Sequence, residues 1–342
     1  MRLPLRQLRH RASAVAAILL ALWAGPSLAA PADSPPAAPP AKAAATLCPP
    51  QARLPTPAEL QTLARQARNH GLLWRVRHEG RTSWLYGTIH VGKLEWLMPG
   101  PDVVRAVKAA DSLALELDVT SPEVLQQLGD GLRARPDAAA LPAALAQRLA
   151  QQRKAACADD SVAAMRPEAQ LMALQALVGR SHGLDPAYGI DLMLAGAVRA
   201  MGKPVTGLET PAIQLRELFS DDPAVIEQSL DDGLGQLENG RSLAMTDTLA
   251  LLWEKGDADK LASFTSWCDC LNTESERAEY RRIVEGRNSG MVEGILGLMA
   301  QGRTVFAAVG ALHLIGPQGL PALLAARGYE VERVRWARQT AD

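Results

Sequence analysis

Two copies of one short pattern, Gly87-Thr88-Ile89-His90 and Gly310-Ala311-Leu312-His313, stand near opposite ends of the 342-residue chain. Each closes a run that reads as a buried strand, and strand-end imidazoles brought together by folding are a usual way to hold a metal ion. The pattern alone says little. With 6 His and 27 Gly in 342 residues, about half a Gly-x-x-His match is expected by chance (6 × 27/342). A third copy, Gly179-Arg180-Ser181-His182, does occur. Its glycine follows a helical run ending at Val178 and reads as a helix C-cap, which sets His182 aside. In the outer two copies, a Gly three residues before the His lets the backbone pass close to another group at a strand end.

Glu116 adds a carboxylate to the pair. It interrupts the leucine-rich run Leu113-Ala114-Leu115-Glu116-Leu117-Asp118, where an unpaired buried charge is costly and a cation or metal is the expected partner. The bland alternative is a strand end facing solvent. His90, Glu116 and His313 together would leave a divalent ion (Mn, Co or Zn) with open positions for water and substrate. Such an ion lowers the pKa of bound water toward ~7. A further carboxylate would then act as general base or orient an imidazole, and Asp191 and Glu209 are the candidates. A helix cap and a surface junction are their ordinary alternatives.

These groups need a scaffold, and the flanking pattern describes one. Thr56-Pro57-Ala58-Glu59 is a capping box that opens a helix reaching about Asn69. Leu72–Arg77 and Thr82–Thr88 alternate around Glu79-Gly80 as a β-hairpin. Pro101–Ala110 has helical spacing, and Ser112–Asp118 reads as a strand. The stretch from Ser121 to His182 is helical in pattern, as are Ile190–Met201 and most of 211–301. Between them Lys203–Glu209 is a short strand, so Glu209 falls at a strand-to-helix junction capped by Thr210-Pro211. Thr304–Gly310 is a continuous apolar strand; a helix over Pro317–Ala326 and a last strand over Tyr329–Val334 follow. The expected fold is α/β (α+β): a central mixed sheet built from N- and C-terminal portions, flanked by helices, with a long helical insertion. In such sheets ligands collect at the carboxyl ends of the strands, where His90, Glu209 and His313 are placed.

Residues 1–29 read as a signal peptide: Arg2, Arg6, Arg9 and Arg11 precede the apolar stretch Ala14–Ala24, and Ser27-Leu28-Ala29 supplies small residues for cleavage. That stretch is too short to cross a bilayer core, which needs ~20 residues. The expected location is therefore the periplasm or the exterior. Residues 30–52 form a Pro/Ala-rich linker expected to be disordered, and 53–338 the folded domain. Loss of the four arginines shifts the formal charge from −1 to −5. Mild acidity without a basic block argues against nucleic acid as a partner, and no second apolar stretch spans a membrane. Cys48, Cys157, Cys268 and Cys270 allow three disulfide connectivities. A bond between Cys268 and Cys270 would close a tight, strained ring, so these two are expected to pair at a distance or to stay reduced.

Taken in order, Trp84–His90, Leu115-Glu116-Leu117-Asp118, Tyr188-Gly189-Ile190-Asp191, Gly202–Val205, Gly207–Thr210, Trp253 with Gly256-Asp257, Arg287-Asn288 and Gly310–His313 resemble the TraB/PrgY/GumN family, in particular its bacterial GumN-like branch. The resemblance spans about Gly71 to Arg335. The family is distantly similar to the animal Tiki metalloproteases and to the erythromycin esterase and ChaN-like superfamily. The resemblance implies a metal-dependent hydrolase with His90 and His313 as motif histidines and Glu116 as the acidic residue. It also implies an Arg287-Asn288 pair that supports a substrate carbonyl or oxyanion, and peptide bonds as the target. Peptide or small-molecule substrates are thus expected. The alternative is a non-catalytic envelope or exopolysaccharide accessory protein that binds haem, a peptide or a glycan. The sequence leaves substrate, metal identity and oligomeric state open.

Overall fold

The computed structural model describes residues 48–158 and 160–336. The signal-peptide reading, most of the Pro/Ala-rich linker and the last residues of the expected domain lie outside them. Six strands form one sheet: β1 (Leu72–His78), β2 (Arg81–Thr88), β3 (Ser112–Leu115), β4 (Val205–Gly207), β5 (Val305–Gly310) and β6 (Glu330–Val334), in the order β4-β3-β5-β2-β1-β6. β4, β3, β5 and β2 run parallel, while β1 is antiparallel to both β2 and β6. The mixed sheet is the expected one. Its consequence for chemistry is direct: four parallel strands deliver their carboxyl ends to a single edge.

Both faces of the sheet are covered, and alternation along each strand divides the core in two. Leu113, Leu115, Phe306 and Ala308 pack on one side with Val103, Val107, Leu194 and Val198. These last four come from the helices Pro101–Ala109 and Ile190–Ala200. Ala114, Val305, Ala307 and Val309 face the other side, against Met291, Ile295, Leu320 and Leu324 of the helices Gly286–Ala300 and Leu320–Ala326. β5 is buried on both faces, which is why its sequence is a continuous apolar run rather than an alternating one.

The connections from β3 to β4 and from β4 to β5 are both helical. Their outer part builds a core of its own, with Leu145, Leu149, Leu171, Leu174, Leu230 and Leu234 in contact. The helical pattern read over Ser121–His182 is in fact several helices, chiefly Pro122–Leu132, Ala143–Ala155 and Pro167–Leu177. Pro136 and Pro142 lie between the first two and forbid one continuous helix. The turn after Val178–His182 is closed by Gly183 at φ +79°, not by Gly179. Gly179 instead packs close against Leu184. Among the described residues no helix is long and apolar enough to cross a membrane.

All four cysteines are described. Cys48 is bonded to Cys157, with Cα atoms 5.7 Å apart, and this leaves Cys268 and Cys270 to each other. The pairing corrects the expectation of distant partners. The chain leaves the Phe264–Trp267 turn of helix with Cys268 extended (φ −66°, ψ 119°), and the following turn brings the two Cα atoms to 5.1 Å.

Candidate functional site

His90, Glu116, Glu209 and His313 lie just beyond the ends of β2, β3, β4 and β5. β3 stops at Leu115, one residue before Glu116, because the chain bends there. The backbones of Glu116 and Glu209 remain paired, Glu209 N–H donating to the Glu116 carbonyl at 2.9 Å. Two carboxylates are thereby set side by side in a buried position.

The Arg287 guanidinium relieves their repulsion. Nη2 donates to Glu116 Oε2 at 2.6 Å and also to Glu209 Oε2, Nε donates to Glu209 Oε1 at 2.9 Å, and Nη1 to the Ile283 carbonyl. All three side chains are 11 % exposed or less. Gln214 Nε2 completes the network, 3.1 Å from Glu209 Oε2 and 3.3 Å from Glu116 Oε2. Gln214 carried no signal in the sequence, since it sits in an ordinary short helix, Pro211–Leu218.

These bonds leave Glu116 with two different oxygens. Oε2 is held by Arg287 and Gln214. Oε1 accepts the Gly310 N–H at 2.9 Å and stands 3.7 Å from His313 Nε2. Burial works against the Glu116 carboxylate, but the Arg287 guanidinium, the His90 imidazole and the Gly310 N–H outweigh it and hold the group well below the usual range.

His313 is 5 % exposed, and its tautomer follows from the hydrogen bonds around it. The Gln318 carbonyl can only accept, so the group facing it at 2.7 Å is the Asn288 Nδ2 amide. Asn288 Oδ1 then faces His313 Nδ1 at 2.7 Å, and Nδ1 must carry the proton. Burial pushes His313 below its ordinary value, opposed in part by Glu116. A neutral His313 therefore turns the lone pair of Nε2 toward Glu116 Oε1.

His90 is built differently. Its side chain is 69 % exposed, and Nδ1 donates to Asp191 Oδ2 at 2.9 Å. The Thr88 hydroxyl donates to the other Asp191 oxygen. The block Tyr188–Asp191 also holds the motif's backbone, Ile190 N–H donating to the Ile89 carbonyl at 3.0 Å. The charge of the Asp191 carboxylate, in contact with Nδ1, raises His90 above its ordinary value. With Nδ1 engaged, Nε2 is left to face the cleft.

The two motif glycines serve different ends. A Cβ on Gly87 would stand 3.1 Å from Ala311 Cα, so this glycine lets the first motif pack against the second. A Cβ on Gly310 would lie 3.4 Å from Glu116 Oε1, 3.6 Å from His313 Cδ2 and 3.7 Å from His90 Nε2. The small space above Gly310 is thus common to all three side chains.

A model of the TraB/PrgY/gumN family matches residues 72–333. The chain belongs to this family. It is 29% identical over 265 residues to the uncharacterized protein YbaP of Shigella flexneri, covering 71% of this chain and 88% of that protein. The YbaP protein of Escherichia coli K12 is 29% identical over 261 residues, covering 70% and 86%. No solved structure matches significantly. The family match encloses every strand of the sheet apart from the last residue of β6, and all seven site residues read from the sequence.

Those seven residues come together in two linked groups. Glu116, Glu209, Arg287, Asn288 and His313 form one buried set, and His90 with Asp191 forms its exposed neighbour across Gly310. His182 is elsewhere, bonded to Asp247 at 2.8 Å. Among the described residues, no three His, Cys, Asp or Glu side chains are drawn together as a ready-made metal cluster. The donor chemistry nonetheless fits a divalent cation: a carboxylate oxygen, the His90 Nε2 nitrogen and the edge of the His313 ring border one space, and a second partner fixes each imidazole through Nδ1.

Proposed function

We propose that this chain is a secreted or periplasmic hydrolase that depends on a divalent metal ion, Mn, Co or Zn, and cuts peptide bonds. One observation carries the reading. His90 Nε2, Glu116 Oε1 and the His313 ring border the space over Gly310, and His313 Nε2 stands 3.7 Å from Glu116 Oε1. A neutral imidazole nitrogen and a carboxylate oxygen 3.7 Å apart are two acceptors facing each other, and a cation between them answers the mismatch.

His90, Glu116 and His313 would hold the ion, which on binding supplies a water activated near neutral pH and polarises the scissile carbonyl. The rest is done by the chain. Asp191 and Asn288 fix the two rings so that each presents Nε2. Arg287 and Gln214 occupy Glu116 Oε2 and leave Oε1 for the cleft. To serve as a ligand, His90 would give up its Nε2 proton while Nδ1 stays bonded to Asp191. Glu209, at the end of β4, is our candidate for carrying a proton to the leaving amine. Arg287 and Asn288 each keep an N–H outside the bonds described, and these are the donors we assign to the developing oxyanion.

The test incubates the purified chain with Mn, Co or Zn and a peptide library, and follows products by mass spectrometry. Cleavage that depends on added metal and disappears in His313→Ala is the expected result. Stoichiometric metal with no cleaved peptide rejects the peptidase; a preparation with a haem Soret band supports the binding-protein alternative instead.

A further inference from the structure

The Cys268-Asp269-Cys270 pair lies outside the metal reading and has a chemistry of its own. Cys48 and Cys157 use up each other, so the only partner either remaining cysteine has in this chain is the one two residues away. The two bonds differ in what they do for the fold. The first clamps segments 109 residues apart, whereas the second spans a single residue and joins no distant parts of the chain. Opening the second bond therefore releases no long loop and costs the fold little.

Access favours the same chemistry. Cys268 is buried at 8 % exposure with its sulfur against the Met245 sulfur, while Cys270 is partly exposed and lines an open cavity of about 200 Å³. An attacking thiolate therefore reaches Cys270 first. Arg241 Nη1 pairs with the Asp269 carboxylate between the two cysteines at 3.6 Å, which leaves Cys270 itself open to the cavity side.

We propose that Cys268–Cys270 is a thiol–disulfide exchange site that oxidises dithiols. A thiolate of the dithiol attacks Cys270 Sγ, the Cys268–Cys270 bond breaks, and Cys268 departs with the electron pair and takes up a proton. The second thiol of the dithiol then attacks its partner in the mixed disulfide, forming the new disulfide and releasing Cys270, which takes the second proton. The dithiol loses two electrons and two protons, and the cysteine pair gains both.

The test equilibrates the full chain in buffers of graded reduced-to-oxidised dithiothreitol. Free thiols are then alkylated and assigned to each cysteine by mass spectrometry. The expected result is that Cys268 and Cys270 become labelled at a reduced-to-oxidised ratio at least tenfold lower than Cys48 and Cys157. In parallel, the oxidised chain is mixed with a reduced Cys-x-x-Cys peptide. Wild type should oxidise about one peptide per chain, and Cys270→Ser none. Cys48→Ser/Cys157→Ser, if it folds, should match wild type; labelling of intact wild-type chain carries the comparison if it does not. Labelling of Cys268 and Cys270 only together with Cys48 and Cys157, a pair that stays reduced in air, or equal peptide oxidation by Cys270→Ser would each overturn the proposal.

Discussion

The two Gly-x-x-His motifs share four positions and almost nothing else. His90 stands at the cleft edge against a carboxylate, and His313 is enclosed against an amide. Asp191 lifts His90 to about 9, whereas burial lowers His313. The comparison teaches that the motif sets where an imidazole stands, and the group at Nδ1 sets its proton. An amide oxygen fixes a neutral ring without adding charge to a buried site, while a carboxylate makes its ring a better base in water.

The largest expected effect breaks the buried half. Arg287→Ala leaves Glu116 and Glu209 adjacent without their counter-ion and should cost about 3–5 kcal/mol, read by urea denaturation. Asp191→Asn, its counterpart at the exposed motif, should cost no more than about 1 kcal/mol. Equal losses would show that the two halves are not built differently.

The glycines give the next contrast. Gly87→Ala forces a methyl against the Ala311 backbone and should destabilise by about 1–3 kcal/mol. Gly310→Ala meets its neighbours at ordinary contact distances, so the fold should hold within about 0.5 kcal/mol, yet the methyl fills the shared space. Metal affinity should fall steeply in Gly310→Ala alone. A Gly310→Ala chain that binds metal as wild type does would place the ion elsewhere.

The smallest effect is in pH. In metal-free chain, the raised His90 contributes stability fully present below 6.5 and lost as pH rises through about 9, because the folded state binds the extra proton. His313 has the opposite sign: its lowered value makes stability fall as pH drops below 6.5. Urea midpoints in chelator across pH should therefore decline on both sides, with Asp191→Asn flattening only the alkaline arm. Loss of the acid arm instead would reverse the assignment.

Much of the site was legible before the fold. His90 and His313 were marked by glycine and a preceding buried run, and Glu116 by being a charge among leucines. Arg287 and Asn288 were legible only as a family block, since nothing in a helical run says which neighbour a guanidinium 78 residues from Glu209 will meet. Gln214 was not legible at all, because its role depends on the crossing of one helix over two strand ends. The sheet was readable from strand runs and their order. The helical connections were overextended across Pro136 and Pro142, where local pattern hid the breaks. The Cys268–Cys270 bond was misjudged by weighing ring strain without the turn that brings the residues together.

The most direct measurement is metal content per chain, by elemental analysis of purified wild type, His90→Ala, His313→Ala and Gly310→Ala after equilibration with Mn, Co or Zn. The account predicts about one ion per wild-type chain and loss in all three variants, each still folded by circular dichroism. Metal-free wild type, or unchanged stoichiometry in folded His90→Ala and His313→Ala, would contradict it.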